Sequence, residues 1–197
     1  AVQRLQALYP EQSLHLVGFS LGGNFCLRVA ARAEAAGIDI ARVVAVCPVL
    51  DPEHTMARLE AGWVLYRRYF LWKWRRSLRK KQAAWPEIYD LTEALELGTL
   101  TEMTAHLVSL FGDYPTVTDY LHGYAVVDGA LSSIVHPTRI ISAADDPIIP
   151  AADLARLAQP KSLEVTCTPL GGHCGYYEGG REGTWIEREV YATLMRS

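Results

Sequence analysis

Gly18-Phe19-Ser20-Leu21-Gly22-Gly23 sets a serine between small residues in the pattern G-x-S-x-G. A serine hydroxyl attacks a carbonyl carbon only when a base removes its proton, so the serine must stand at an exposed apex within reach of an imidazole. The glycines suit a sharp turn from strand into helix, where side chains at positions 18 and 22 are expected to collide. That turn lifts the Ser20 hydroxyl off the sheet edge. It also sets the N–H of Leu21 at a helix start, aimed where a negative oxygen would form. Short glycine-serine patterns arise by chance, and a glycine-rich turn without chemistry reads the same way. The flanking sequence separates the two: an apolar run, Leu14 to Phe19, precedes the motif and an Ala- and Arg-rich helical stretch follows it.

A nucleophile elbow of this kind implies the chain order Ser, then Asp or Glu, then His. The segment Ala144-Asp145-Asp146-Pro147-Ile148-Ile149-Pro150 follows a short apolar run ending at Ala143. Loops at the carboxyl ends of parallel strands are where sites collect in open sheets. Asp146 is favoured as the acid because Pro147 and Pro150 stiffen the loop just after it, and Asp145 is open to a capping role. Of the six histidines, His15, His54, His106, His122, His136 and His173, only His173 follows the acid pair. It sits in Gly171-Gly172-His173-Cys174-Gly175, where glycines on either side let the backbone bring the ring close to Ser20. In the resulting scheme His173 is the base, Asp146 orients it and Leu21 supplies one oxyanion donor. The second donor is expected from a loop after an earlier strand, for which the chain holds no candidate; losing one such donor costs roughly 10²–10³ in turnover.

These residues need a sheet to position them. Ser13 to Phe19 reads as a strand, Leu21 to Ala36 as a helix closed by Gly37, and Arg42 to Cys47 as a strand buried on both faces. Thr138 to Ala143 and Leu163 to Thr168 read as further strands, Ala151 to Ala158 as a short helix and Trp185 to Met195 as a closing helix. Between them, regular alternation stops. Glu60 to Lys81 is strongly helical, Leu91 to Phe111 holds one or two helices, and Asp113 to Asp128 loops back. The expected organisation is an α/β core over residues 1–48 carrying the elbow, a helical cap insertion over 49–135, and core again over 136–197 with the Asp and His loops. The chain opens with Ala1 to Tyr9 already helical, and so reads as the C-terminal part of something longer. The nucleophile strand would then have an unpaired edge, which invites aggregation.

The 197 residues are half hydrophobic and a fifth charged, enough to bury a core. The formal net charge of -3 gives no global pull toward nucleic acid. Cys26, Cys47, Cys167 and Cys174 lack CxxC spacing and read as reduced thiols, which favours a reducing compartment and a cytoplasmic location.

With those residues placed, the chain resembles the α/β-hydrolase superfamily, and more narrowly its YheT-like branch of esterases and lipases. The likeness rests on Gly18-Phe19-Ser20-Leu21-Gly22-Gly23-Asn24, on Ala144-Asp145-Asp146-Pro147 and on Gly171-Gly172-His173-Cys174-Gly175-Tyr176. The resemblance implies an α/β-hydrolase fold that cleaves carboxylic esters of the short-chain or monoacylglycerol kind, without metal or organic cofactor. Two other readings stay open: a catalytically silent hydrolase-like binding protein, and an amidase or acyltransferase on the same triad.

One segment stands apart from this scheme. Tyr66 to Lys81 interleaves aromatic with basic residues. A helix with its aromatics packed inward and its cations outward can lie on an anionic membrane surface or bind an acidic partner. It can equally be a cap helix that covers a site and shows its charges to water.

Overall fold

The computed structural model describes residues 1–178 and 184–196. Four parallel strands, β1 (His15–Phe19), β2 (Arg42–Val46), β3 (Thr138–Ala143) and β4 (Leu163–Thr168), lie side by side in chain order. Phe19 pairs with Val46, Val46 with Ile141 and Ile141 with Thr166, so β3 and β4 run level with each other and two residues further than β1 before their loops begin. In β3 all six residues are buried, and in β2 all but Arg42; β2 shows this as the apolar run Val43 to Val46, whereas β3 buries Thr138, Arg139 and Ser142 beside its apolar residues. The outer strands β1 and β4 are mixed, and Val17 and Phe19 of β1 are exposed.

Helix α1 (Val2–Leu8) precedes the sheet, and α2 (Leu21–Ala33) packs on β1 and β2. It does so through Gly23, Asn24, Leu27, Ala30 and Ala33, one stripe at helical spacing. The helix ends three residues before the expected Ala36. The chain then tightens through turns, with Gly37 N–H bonding Glu34 O and Gly37 itself at φ +63°.

The chain divides into two compact units, Ala1–Asp51 with Tyr124–Ser197, and Pro52–Gly123. Residues 124–135, read from sequence as part of the insertion, fall with the sheet. Val126 N–H bonds Leu50 O, Ser133 Oγ bonds Ala31 O, and Leu131 and Ile134 are buried. Arg156 ties the same region together, bonding Asp51 Oδ2 at 2.6 Å and both carboxylate oxygens of Asp128.

The second unit contains α3 (Pro52–Ala61), α4 (Val64–Ala84), α5 (Thr92–Glu96), α6 (Leu100–Phe111) and α7 (Val117–His122). The expected helix over 60–81 is thus interrupted at Gly62 and Trp63, where Trp63 is extended with ψ 131°. Helix α7 lies in the stretch expected to loop back. Its start is set by Thr116, whose hydroxyl accepts the Asp119 N–H at 3.1 Å, a capping pattern present in the sequence. The short helix after β3 is a 3-10 helix, Ala151–Arg156, and α8 (Trp185–Leu194) closes the fold against β2. Among the described residues no helix is long and apolar enough to cross a membrane.

Candidate active site

The serine comes first, because its backbone is the unusual part. Ser20 has φ 53° and ψ -122°, a region that costs a non-glycine residue roughly 1–3 kcal/mol and persists only when its neighbours impose it. Three contacts do so. Ser20 N–H bonds Val46 O at 2.8 Å, and Ser20 O accepts from Asn24 N–H at 3.2 Å and Val49 N–H at 3.3 Å. The glycines serve this turn unequally. A Cβ at position 18 would lie 2.3 Å from Gly22 O, and one at position 23 would lie 3.0 Å from Pro48 Cβ. Position 22 has nothing within 4 Å, so the expected collision there is absent among the described residues; the crowding falls on Gly18 and Gly23. Leu21 is the first residue of α2, and its N–H is one of the unpaired donors of a helix start.

His173 sits in a turn just beyond β4. Gly172, Cys174 and Tyr176 all have positive φ. The turn is pinned by the N–H groups of Gly175 and Tyr176, both bonding Gly171 O, and by the Tyr176 ring, which stacks near Trp185 at 5.3 Å between centroids. Gly171 is required for that packing: a Cβ there would come 2.5 Å from Tyr176 Cε1 and 2.9 Å from Ala143 Cβ. Tyr176 in turn belongs to a core cluster with Val44, Val46, Cys47, Ile141, Ala143 and Ile186. The loop that carries the histidine is therefore anchored in the sheet's own core.

The two acids separate cleanly. Asp146 Oδ2 lies 2.9 Å from His173 Nδ1, and its Oδ1 accepts the N–H groups of Ile148 at 2.8 Å and Ile149 at 3.0 Å. Burial alone would raise its pKa. The hydrogen bonds from His173, Ile149 and Ile148 outweigh that and hold the carboxyl below its ordinary range. Asp145 is exposed and accepts the Gly172 N–H at 2.8 Å, so it fastens the histidine loop rather than the ring. On the other side of the imidazole, His173 Nε2 lies 2.9 Å from Ser20 Oγ. The structure thus brings Ser20, His173 and Asp146 into one hydrogen-bonded line from three separate loops, 126 residues of chain separating the first from the last-named acid.

Three contributors had no assigned part in the sequence reading. Asn24 is fully buried, and its Nδ2 bonds Val49 O and Tyr124 O, each at 2.8 Å, tying the elbow helix to the chain on both sides of the helical unit. Its signal was its place directly after the glycines. Cys47, at φ 42°, and Cys174 lie beside the histidine. The Cys174 thiol hydrogen-bonds Cys47 Sγ and, against burial and with help from the Tyr176 hydroxyl, pulls Cys47 down to about 7. Cys174 is pushed up in return, and Tyr176 is pushed up by burial first and by Cys47 second. The donor atoms of Cys47, His173 and Cys174 lie within 4.8 Å of one another. In the triad arrangement, however, one His173 nitrogen donates to Asp146 and the other accepts from Ser20, which leaves the ring no lone pair for an ion.

A parallel sheet with a strained serine elbow at one strand end, and an acid and a histidine on later strand ends, defines a hydrolase of the α/β type. The chain belongs to the alpha/beta hydrolase family, whose profile matches residues 1–182. It is similar to the mouse protein named monoacylglycerol lipase ABHD2, with 26% identity over 96% of this chain and 49% of that protein. It is also similar to YheT of Escherichia coli, with 27% identity over 94% of this chain and 56% of that protein. The chain spans about half the length of the curated relatives it matches. Among solved structures, an esterase of Pyrococcus furiosus covers 98% of this chain at TM-score 0.50 and 16% identity, a likeness of fold.

Proposed function

We propose that this chain carries the catalytic half of a carboxylic ester hydrolase that works through an acyl-serine intermediate. The observation that carries the proposal is the unbroken relay Ser20 Oγ, His173 Nε2, His173 Nδ1, Asp146 Oδ2, with 2.9 Å at each junction. Ser20 donates its proton to Nε2 as Oγ attacks the ester carbonyl. The imidazolium then forms beside a carboxylate that its other neighbours keep ionised. The Leu21 N–H faces the developing oxyanion. His173 passes the proton to the leaving alkoxide, and a water repeats the sequence to free the acid and restore Ser20. No step requires a metal or an organic cofactor.

The substrate class we propose is a short-chain or monoacylglycerol-like ester. The name of the mouse relative supports it. The test is labelling with a fluorophosphonate probe, read by intact mass and peptide mapping, on the chain and its Ser20→Ala variant. Adduct confined to Ser20 and lost in the variant is the expected result. A folded sample that takes no label would favour a silent binding protein. Hydrolysis of amides in preference to esters, or acyl transfer to added alcohol in preference to water, would change the reaction class while leaving the triad in place.

A further inference from the structure

Helix α4 departs from every other long element in the molecule. It runs for 21 residues, about 30 Å at the usual rise, and none of its residues is buried. It contains eight Lys or Arg and neither Asp nor Glu, whereas the chain as a whole has a net charge of -3. Everything outside the helix is therefore acidic on balance, and the cations are concentrated by sequence rather than scattered.

The expected division, aromatics inward and cations outward, does not hold. Phe70, Leu71, Trp74 and Leu78 are the half-covered side. Two of the arginines serve that side as well, Arg67 bonding Glu60 O and Arg75 bonding Leu97 O. The opposite face is where aromatic and basic residues occur together. Leu65, Tyr69, Trp72 and Arg76 recur at helical spacing in one stripe, the first three exposed by 57%, 51% and 51%. Arg68 and Arg79 flank the stripe on one side, Lys73 and Lys80 on the other. Lys73 lies over the Tyr69 ring and Arg76 over the Trp72 ring, each at 5.6 Å from the centroid. A helix whose only task was to show charge to water would have no use for Trp and Tyr on this face. A protein-binding groove filler would bury such an apolar stripe without a cation beside every ring.

We infer that the Leu65, Tyr69, Trp72 and Arg76 face of α4 docks on the surface of an anionic lipid bilayer. The rings enter at headgroup depth, where an apolar body with a polar edge is favoured. The flanking Arg and Lys meet lipid phosphates, and their stems extend along the apolar boundary. The inference goes beyond the ester-hydrolase reading and stands apart from it, because its readout is binding and not turnover.

The experiment is vesicle flotation of the whole chain, carrying Ser20→Ala so that hydrolysis plays no part. The vesicles are phosphatidylcholine alone, or phosphatidylcholine with 30% phosphatidylglycerol, on the order of the anionic content of natural leaflets. The chain should float with the mixed vesicles at low salt and be released at about 0.5 M salt. Replacing Arg68, Arg76, Arg79 and Lys80 by Glu should lower partitioning at least 100-fold. Replacing Tyr69 and Trp72 by Ala, with the charges intact, should lower it about tenfold and weaken what survives at high salt. All of these positions are exposed, so unchanged melting would verify the fold of each variant. Absence of flotation with the mixed vesicles overturns the inference, as does equal binding by the charge-reversed chain. Flotation that depends on the cations but is indifferent to Tyr69 and Trp72 overturns the docking face and leaves only diffuse attraction, the behaviour expected of a patch made for an acidic protein.

Discussion

The two units of this molecule set the side chains that matter in opposite surroundings. In the sheet unit, polar side chains that matter are withdrawn from water and given fixed partners. Asp146 and Asn24 are almost wholly buried; Asp146 gives one oxygen to the His173 ring and the other to two amides of its own loop, and the Asn24 amide nitrogen bonds two backbone carbonyls. In the helical unit, the residues that stand out are held in the open. Tyr69 and Trp72 face solvent, and the cations beside them meet rings rather than carboxylates. A reacting group must be placed within a few tenths of an ångström, which needs a rigid, over-determined setting. A surface that meets a fluid partner needs only the right chemistry on one side of a helix. The contrast predicts that substitutions of the fixed, buried groups in the first unit cost stability or turnover, and that exposed substitutions on α4 leave both untouched.

The largest effect should come from Asp146→Asn. The ring would lose the acceptor that fixes its tautomer, and ester turnover should fall by about 10⁴ in steady-state assays with the fold retained. Loss of less than tenfold would mean that the acid is dispensable and that the line of hydrogen bonds is only packing.

Next in size is the elbow. Gly18→Ala sets a methyl against backbone atoms at 2.3 and 2.4 Å, which only a shift of the turn can relieve. A destabilisation of about 3 kcal/mol or more is expected in urea melts. Gly22→Ala meets nothing within 4 Å and sits in a helix, so it should be neutral or slightly stabilising. Equal costs at the two positions would show that the turn is crowded by something other than the Gly22 carbonyl.

Acid should weaken the sheet unit through one identifiable group. The Asp146 carboxyl ionises more easily in the fold than in the unfolded chain. Its contribution is complete above the unfolded value of about 3.9 and is lost as the pH falls through the folded value. The gap between the melting curves of the parent and Asp146→Asn should therefore begin to narrow below about pH 4 and close only beneath the lowered folded value. A gap between them that stays constant with pH would assign the difference to packing instead of charge.

The smallest effect belongs to Tyr176→Phe. The ring that anchors the histidine loop is kept and only the hydroxyl, 3.3 Å from Cys47 Sγ, is removed. A cost of about 1 kcal/mol with little change in turnover is expected. A large drop in turnover would mean that the thiol cluster, and not the ring stack, holds His173 in place.

Much of the site was legible because its parts are short, local patterns with a fixed order. A strand and then G-x-S-x-G, an acid after a later strand, and the one histidine beyond it can be found by inspection. So can β2, since burial on both faces writes itself there as an unbroken apolar run, Val43 to Val46. What escaped was whatever depends on the approach of distant segments. The prolines after Asp146 favour it over Asp145, but the part that Asp145 takes, accepting the Gly172 amide of the histidine loop, shows only in the fold. That Gly18 and not Gly22 is the crowded glycine depends on how α2 folds back on the turn. Residues 124–135 lack strand or helix periodicity, so their membership of the sheet unit is visible only in contacts with Leu50 and Ala31. The orientation of Tyr69 and Trp72 was set by which side of α4 its neighbours cover. The sequence alone determined which side chains carry the chemistry and in what order the chain presents them, because those follow from local turn sterics and side-chain reactivity. Tertiary structure alone decided which of them meet, because hydrogen bonds and burial between segments more than a hundred residues apart leave no trace in either segment by itself.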